Sequence, residues 1–306
     1  MKGGGIGMFF KRFGKFFALL TVIIVLLSIT TFAVARQGVI YTALGDSIAY
    51  GTGATDGIGY TDMLNTHFER KYGTGTYINL SADGVTSSEL LGALLHPTDI
   101  YGVQSAVYAA DIITISIGGN DLLGPFVEAM GDVIFAFYLI PDNGWFAIDY
   151  EALLSDLAEW EMDPSTQPQF NQMLYDLAID LPGYVADFAI NWGQIIHKVR
   201  LLNPDADIYV NTVYNPLKFS PILNQFADPA IQGLNLPIWG YAATYDYKVV
   251  DVYSKFALYN NPKKLAVGDL STLAQFSDPE YNGPVPFHPT DMGYKFIFNM
   301  HKELMD

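Results

Sequence analysis

Cysteine is absent from the 306 residues of this chain. The protein can therefore form neither disulfide bonds nor metal sites built from thiolates. Positive charge is also scarce, because 16 lysines and arginines stand against 32 aspartates and glutamates, for a formal net charge of −16. An acidic surface of this kind disfavours nucleic acid and anionic lipid headgroups as partners.

Linkers and repeats are absent too. No stretch rich in serine, glycine or proline divides the chain, and no run of like charge is long enough to indicate a disordered tail. Half of the residues are apolar, so a sizeable core can be buried. We therefore predict one domain, which covers residues 37–306.

The first 35 residues differ in chemistry from the rest of the chain. They begin with four basic residues, Lys2, Lys11, Arg12 and Lys15. Residues 16–35 carry no charge, and residues 33–35 have the small-x-small pattern of a signal-peptidase site. The segment is either a cleaved signal peptide or an uncleaved membrane anchor, since twenty apolar residues suffice to span a bilayer. In both cases we expect export from a bacterial cell, with membrane contact only through this segment.

Short apolar runs, each ended by a glycine or a polar turn, alternate with longer stretches of helical period. We predict strands at residues 39–44, 77–80, 112–117 and 208–212. The clearest helix covers about residues 184–202, where apolar side chains recur every three or four positions. This alternation predicts an α/β fold with a central parallel sheet and helices on both faces. The functional site of such a sheet lies at the carboxyl ends of its strands.

Residues 122–181 do not fit this alternation. They hold an apolar part, then an acidic part, then a turn rich in proline and glutamine. One interpretation is an insertion of packing helices that enlarges the core. The other is a lid or an acyl-binding wall directly beyond Asn120.

Three polar side chains suggest chemistry. Ser47 follows the first predicted strand, Asn120 follows the third, and His288 lies near the C-terminus. A serine hydroxyl that attacks a carbonyl needs a base, and an imidazole with a pKa of about 6.5 can take and return the proton. The oxyanion that results needs fixed hydrogen-bond donors, such as backbone N–H groups and an asparagine amide. The three residues together indicate an acyl-transfer site.

These segments resemble sequence blocks of the SGNH hydrolase superfamily, also called the GDSL lipases and esterases. Gly45-Asp46-Ser47, with Gly51 four residues on, resembles the first block. Gly84, which is followed by a Val-Thr-Ser string and a leucine-rich helix start, resembles the second block. By this resemblance Ser47 is the nucleophile, and the backbone N–H groups of Ser47 and Gly84 belong to the oxyanion hole.

Two further blocks follow in the family order. Residues 118–121 read Gly-Gly-Asn-Asp and resemble the third block, in which Asn120 is an oxyanion donor. His288, followed by Pro289 and later by a Gly-Tyr pair, resembles the base of the last block. The blocks span residues 40–300, and the resemblance implies a three-layer α/β/α sandwich with a flavodoxin-like parallel sheet.

One position departs from the family pattern. The last block usually carries an aspartate three residues before the histidine, where it orients the ring and stabilises its charged form. That position is Val285 in this chain, and valine can do neither. Three interpretations stay open. A carboxylate from elsewhere, such as Asp278 or Glu280, reaches His288; a backbone carbonyl accepts its N–H to give a Ser–His dyad; or the site is weakened or inactive.

The resemblance implies an exported serine esterase or lipase that hydrolyses carboxylic esters through an acyl-enzyme, with a small-molecule or lipid ester as substrate. No cofactor is required for that chemistry. We expect no metal site, because the remaining histidines do not pair at ligand spacing; they are His67, His96, His197 and His301. The alternatives are a carbohydrate or cell-wall acetylesterase and a non-catalytic cell-surface binding protein on the same fold.

Overall fold

The computed structural model describes residues 38–142, 145–218, 220–266 and 285–306. A five-stranded parallel sheet has the order β2-β1-β3-β6-β7. Its strands are β1 (Ile40–Gly45), β2 (Thr76–Asn79), β3 (Ile112–Ser116), β6 (Asp207–Asn211) and β7 (Lys248–Val250). This is the flavodoxin-like strand order. From β1 the chain adds β2 on one side and then β3, β6 and β7 on the other, so the order reverses between β1 and β3.

Helices connect and cover these strands. The first part of the chain contains α1 (Ser47–Tyr50), α2 (Tyr60–Tyr72), α3 (Ser87–Leu95), α4 (Val103–Ala109) and α5 (Gly119–Phe137). A two-stranded antiparallel hairpin follows, made of β4 (Leu139–Asp142) and β5 (Trp145–Ile148). The remaining helices are α6 (Tyr150–Met162), α7 (Pro168–Leu202), α8 (Pro221–Tyr245), α9 (Val252–Ala257) and α10 (Asp291–Met305).

Helices bury the sheet on both faces, and alternate residues of each strand point to opposite faces. In β3, Ile113 and Ile115 pack into one cluster with residues of α3, α4 and α7. Ile112 points the other way and packs with residues of α2, α9 and α10. In β6, Val210 belongs to the first cluster and Tyr209 to the second. The protein is thus a three-layer α/β/α sandwich, as the sequence predicts.

The segment from α5 to the first half of α7 has a third hydrophobic core of its own. Trp160 and Phe170 are fully buried there, and Leu223 of α8 joins them. The indole N–H of Trp160 donates to the side chain of Asn171 at 2.9 Å. Residues 122–181 therefore form packed helices and a hairpin against the sandwich, and their division from the main domain stays a prediction.

Most elements predicted from the sequence appear close to their predicted bounds, but one helix begins earlier and strands β4, β5 and β7 were not predicted. The helix expected at residues 184–202 begins earlier, at Pro168, because a second apolar periodicity precedes it. β7 was not predicted, since its three residues are too short a run to show alternation. No helix among the described residues is long and apolar enough to cross a membrane. Residues 1–35 lie outside the described part of the chain, as do Asp278 and Glu280.

Candidate active site

A sharp turn at the carboxyl end of β1 presents Ser47. Gly45 has φ +134°, and a Cβ at this position would lie 1.8 Å from the carbonyl oxygen of Ser116 on β3. Only glycine allows β1 and β3 to approach so closely. The next amide, that of Asp46, donates to the same Ser116 oxygen at 2.9 Å. The turn is therefore held against β3 before α1, the helix of Ser47, begins.

Asp46 caps that helix. Its carboxylate accepts a hydrogen bond from the N–H of Ile48 at 3.1 Å, in the manner of an N-cap residue of α1. The side chain is almost fully buried, and burial raises the pKa of Asp46 to about 7. The bond to Ile48 fixes the turn and so positions Ser47. We therefore assign Asp46 a structural role and not that of the base.

Ser47 and His288 lie in hydrogen-bond contact across 241 positions of sequence. The distance between Ser47 Oγ and His288 Nε2 is 2.8 Å. Ser47 is 7% exposed, so its hydroxyl is shielded from bulk water yet lines the mouth of a pocket. A nucleophile and a base within about 2.6–3.2 Å satisfy the geometric condition for proton transfer.

The other ring nitrogen of His288 contacts a backbone carbonyl, at the place where the family's usual aspartate, replaced here by Val285, would orient the ring. Nδ1 lies 2.7 Å from the backbone carbonyl oxygen of Pro286. A carbonyl can only accept, so Nδ1 carries the proton and Nε2 is left free to accept from Ser47. The described residues thus contain the backbone-carbonyl contact that the sequence left open as one of three interpretations, and Asp278 and Glu280 lie outside the described residues. Val285 contributes through its own carbonyl, which accepts the N–H of His288 at 3.2 Å.

The loop that carries His288 is held in an unusual conformation. Phe287 has φ +66°, a left-handed value that costs a non-glycine residue roughly 1 kcal/mol or more. The hydroxyl of Tyr214 donates to the Phe287 carbonyl at 2.5 Å, and the Phe287 ring is buried in the third core. These two contacts support the conformation that directs the imidazole toward Ser47.

The surroundings of His288 shift its pKa in opposite directions. Burial lowers its pKa from the usual 6.5, since the charged imidazolium is costly in an apolar site. The hydrogen bond to Pro286 and the negative charge of Asp83 raise the pKa in part. A base with a pKa below 6.5 is neutral near pH 7, which is the form that accepts a proton.

The two remaining predicted residues are Gly84, on the loop before α3, and Asn120, in the first turn of α5. Gly84 has φ +77°, a value that glycine adopts without strain, and space is open around its Cα. Asn120 is the second residue of α5, and its side-chain amide donates to the carbonyl oxygen of Val85 at 2.9 Å. Asn120 therefore ties the loop after β3 to the loop that carries Gly84.

Asp121 reinforces the same junction. Its carboxylate accepts from the backbone N–H of Ser87 at 3.0 Å and from the Ser87 hydroxyl. Asn191 of α7 donates to that hydroxyl at 3.0 Å. The second and third sequence blocks are thus joined by side chains, which fixes the positions of Gly84 and Asn120 relative to each other.

A pocket with a cavity volume of about 100 Å³ is lined by both Ser47 and His288. Its walls are largely apolar and come from α5, α7 and α8, for example Leu123, Leu177 and Ile231. Among the described residues that line it there is no lysine or arginine. Pockets of this composition hold apolar ligands, with a few polar groups to orient them.

The structure brings Ser47, Asn120 and His288 together at this pocket, and it places Gly84 on the adjoining loop. Sequence reasoning missed three contributors: the Pro286 carbonyl, Asp83, and the pocket wall from α8. Asp83 directly precedes the predicted oxyanion glycine, and this adjacency was the one available signal. The wall residues of α8 gave no signal, because they lie more than 170 positions from Ser47.

A family comparison covers nearly the whole described chain. The model of the GDSL-like Lipase/Acylhydrolase family matches residues 43–296. The chain belongs to this family. Membership supports an ester hydrolase of the lipase or esterase type, and it agrees with the resemblance read from the sequence.

Individual relatives are distant. The uncharacterized protein YpmR of Bacillus subtilis (strain 168) is 22% identical over 268 residues, which cover 86% of this chain and 79% of that protein. The lipase Lip_vut3 from a goat rumen metagenome has 21% identity and a TM-score of 0.53, covering 86% of this chain and 95% of that chain. Phospholipase A1 from Streptomyces albidoflavus NA297 has 14% identity and a TM-score of 0.54, with coverages of 87% and 99%. At these identities the two structures share the fold with this chain.

Proposed function

We propose that this protein is a serine hydrolase that cleaves carboxylic esters through an acyl-enzyme. The observation that carries the proposal is the 2.8 Å contact between Ser47 Oγ and His288 Nε2 at the mouth of an apolar pocket. Export through residues 1–35 is part of the proposal, and the basic flank with its uncharged run supports it.

Acylation follows from this geometry. Ser47 Oγ forms a bond to the ester carbonyl carbon while its proton passes to His288 Nε2, and the carbonyl oxygen becomes an oxyanion. The N–H groups of Ser47 and Gly84 and the amide of Asn120 are the donors assigned to that oxyanion. The C–O bond to the alcohol then breaks, and His288 returns the proton to the departing oxygen. Water repeats these steps on the acyl-enzyme and releases the carboxylic acid.

An organophosphate ester tests the nucleophile directly. With diethyl p-nitrophenyl phosphate we expect stoichiometric labelling, about one adduct per chain, on the peptide that contains Ser47. The Ser47→Ala variant should take up no adduct, while Ser88→Ala, the same change at an exposed position of α3, should be labelled like the wild type. Labelling at another residue would contradict the assignment, and a wild type without labelling or turnover would favour the non-catalytic binding protein.

The pocket favours an apolar acyl chain over acetate as the acid part of the substrate. Each methylene that enters the pocket contributes about 0.8 kcal/mol, or roughly fourfold in kcat/KM, until the space is filled. We therefore expect kcat/KM for p-nitrophenyl esters to rise from acetate to octanoate. A maximum at acetate would instead support the acetylesterase alternative.

A matched pair of variants on α8 tests where the chain lies. Ala227 lines the pocket, whereas Ala243 is exposed on the same helix. Ala227→Leu should lower kcat/KM for octanoate about tenfold and leave acetate within about twofold, because the added carbons occupy the space of the chain. Ala243→Leu should change neither. An equal loss for both esters in Ala227→Leu would show that the acyl chain does not lie along this wall.

A further inference from the structure

Asp83 lies in the loop between β2 and α3, directly before Gly84. Its carboxylate accepts a hydrogen bond from the hydroxyl of Thr52. Thr52 itself is fixed, since its N–H donates to the carbonyl of Ser47 at 3.1 Å and its carbonyl accepts from the hydroxyl of Tyr294 at 2.7 Å. Asp83 is therefore held at the C-terminal end of the nucleophile helix although its side chain is exposed.

The residue after Thr52 contacts the catalytic histidine of the proposed mechanism. A Cβ on Gly53 would lie 3.5 Å from Cβ of His288 and 3.4 Å from Cβ of Val285. Asp83 and His288 are thus linked through two consecutive residues, since Asp83 bonds to Thr52 and Gly53 lies against His288. Asp83 makes no hydrogen bond to the ring, because Nε2 is bound to Ser47 and Nδ1 to Pro286.

We propose that Asp83 supplies, through space, the negative charge that stabilises the His288 imidazolium, while the Pro286 carbonyl orients the ring. The two tasks that one aspartate performs at the family's usual acid position, here Val285, are divided between a backbone oxygen and a carboxylate on another loop. This inference rests on the proposed function. Asp83 acts on the reaction only through His288, so it is a positioning residue.

Other charged or titratable groups among the described residues belong to the elements around His288. Asp46 is buried and bound to Ile48, and Asp121 accepts from Ser87. Asp291 of α10 accepts from the N–H and hydroxyl of Thr55 at 2.8 and 2.6 Å. Two further groups are the phenols of Tyr214 and Tyr294, which stay neutral because burial raises their pKa values. The last is the exposed Lys264, whose backbone carbonyl accepts from the hydroxyl of Thr290. Among the described carboxylates, Asp83 is the one whose charge raises the pKa of His288.

Removing this charge has two linked consequences. The imidazolium formed in the transition state loses stabilisation, so the plateau of kcat/KM falls. The pKa of His288 in the free enzyme also falls, so the acidic limb of the pH profile moves to lower pH. A purely structural loss would lower the plateau without moving the limb. Because Asp83 is exposed, the effect is modest and sensitive to salt.

The experiment measures kcat/KM against pH for p-nitrophenyl butyrate with Asp83→Asn, Asp83→Glu and Asp205→Asn. Asparagine keeps an acceptor for Thr52, and Asp205 is an exposed acid just before β6, at the amino ends of the strands. We expect Asp83→Asn to lower the plateau about three- to tenfold and shift the limb to lower pH, Asp83→Glu to restore both in part, and Asp205→Asn to match the wild type. At about 1 M salt, where the Debye length is roughly 3 Å, wild type and Asp83→Asn should converge.

Two outcomes overturn the inference. An unmoved limb in Asp83→Asn, with or without a lower plateau, shows that the charge does not act on His288. A difference from wild type that persists at high salt shows that a property of the side chain other than its charge acts on the reaction. Both are read in turnover that Ser47→Ala abolishes. Turnover that survives Ser47→Ala would overturn the proposed function itself, and with it this role of Asp83.

Discussion

Ser47→Ala is expected to lower kcat for ester hydrolysis by about 10⁴- to 10⁶-fold, because the variant has no atom to form the acyl-enzyme. His288→Ala should cause a loss of similar size, since without Nε2 the hydroxyl keeps its proton as it attacks. The double variant should be scarcely slower than either single one, because the two groups work as a unit across their 2.8 Å contact. Steady-state hydrolysis of p-nitrophenyl butyrate provides the measurement.

We expect the Ser47 variant to fold like the wild type, because alanine removes only a hydroxyl whose one hydrogen bond among the described contacts is to His288. Ser88→Ala is the matched control and should retain wild-type rates. Losses that add in the double variant would show that Ser47 and His288 act independently. A loss below tenfold in Ser47→Ala would mean that another residue is the nucleophile.

The fold could be predicted because local sequence and tertiary packing agree in it. The run that forms β1 is apolar and ends at Gly45, and the structure uses that glycine for the close approach to Ser116. Residues at the carboxyl ends of parallel strands meet, so Ser47 and Asn120 could be placed at one edge from sequence alone. β7 could not be found, since three residues at the edge of a sheet carry no detectable period.

The candidate site could be predicted only where it depends on side-chain identity. Ser47, Gly84, Asn120 and His288 were named from their residue types and order. The acceptor of the His288 N–H is a backbone carbonyl, and every residue has one, so no sequence pattern distinguishes Pro286. The apolar wall of the pocket comes from three helices distant in sequence, and its residues look like ordinary core positions.

Asn120→Ala is expected to lower kcat about 10²- to 10³-fold with little change in KM, because the lost donor acts mainly on the oxyanion of the transition state. An asparagine amide has two N–H groups. One donates to the Val85 carbonyl at 2.9 Å, which leaves the other to point at the substrate oxygen while the first holds the amide in place. The backbone donors of Ser47 and Gly84 remain, so the loss should stay well below that of Ser47→Ala.

The bond from Asn120 to Val85 makes a second effect separable from the first. If the variant acted by releasing the loop that carries Gly84, substrate binding would weaken, and KM would rise together with a lower urea midpoint of unfolding. If the amide is an oxyanion donor, kcat falls while KM and the urea midpoint stay near those of Asn260→Ala, the same change at an exposed position. A rise in KM with unchanged kcat would assign Asn120 to the loop. The size of the kcat effect then measures how much of the oxyanion stabilisation comes from a side chain and how much the backbone turns at Ser47 and Gly84 provide.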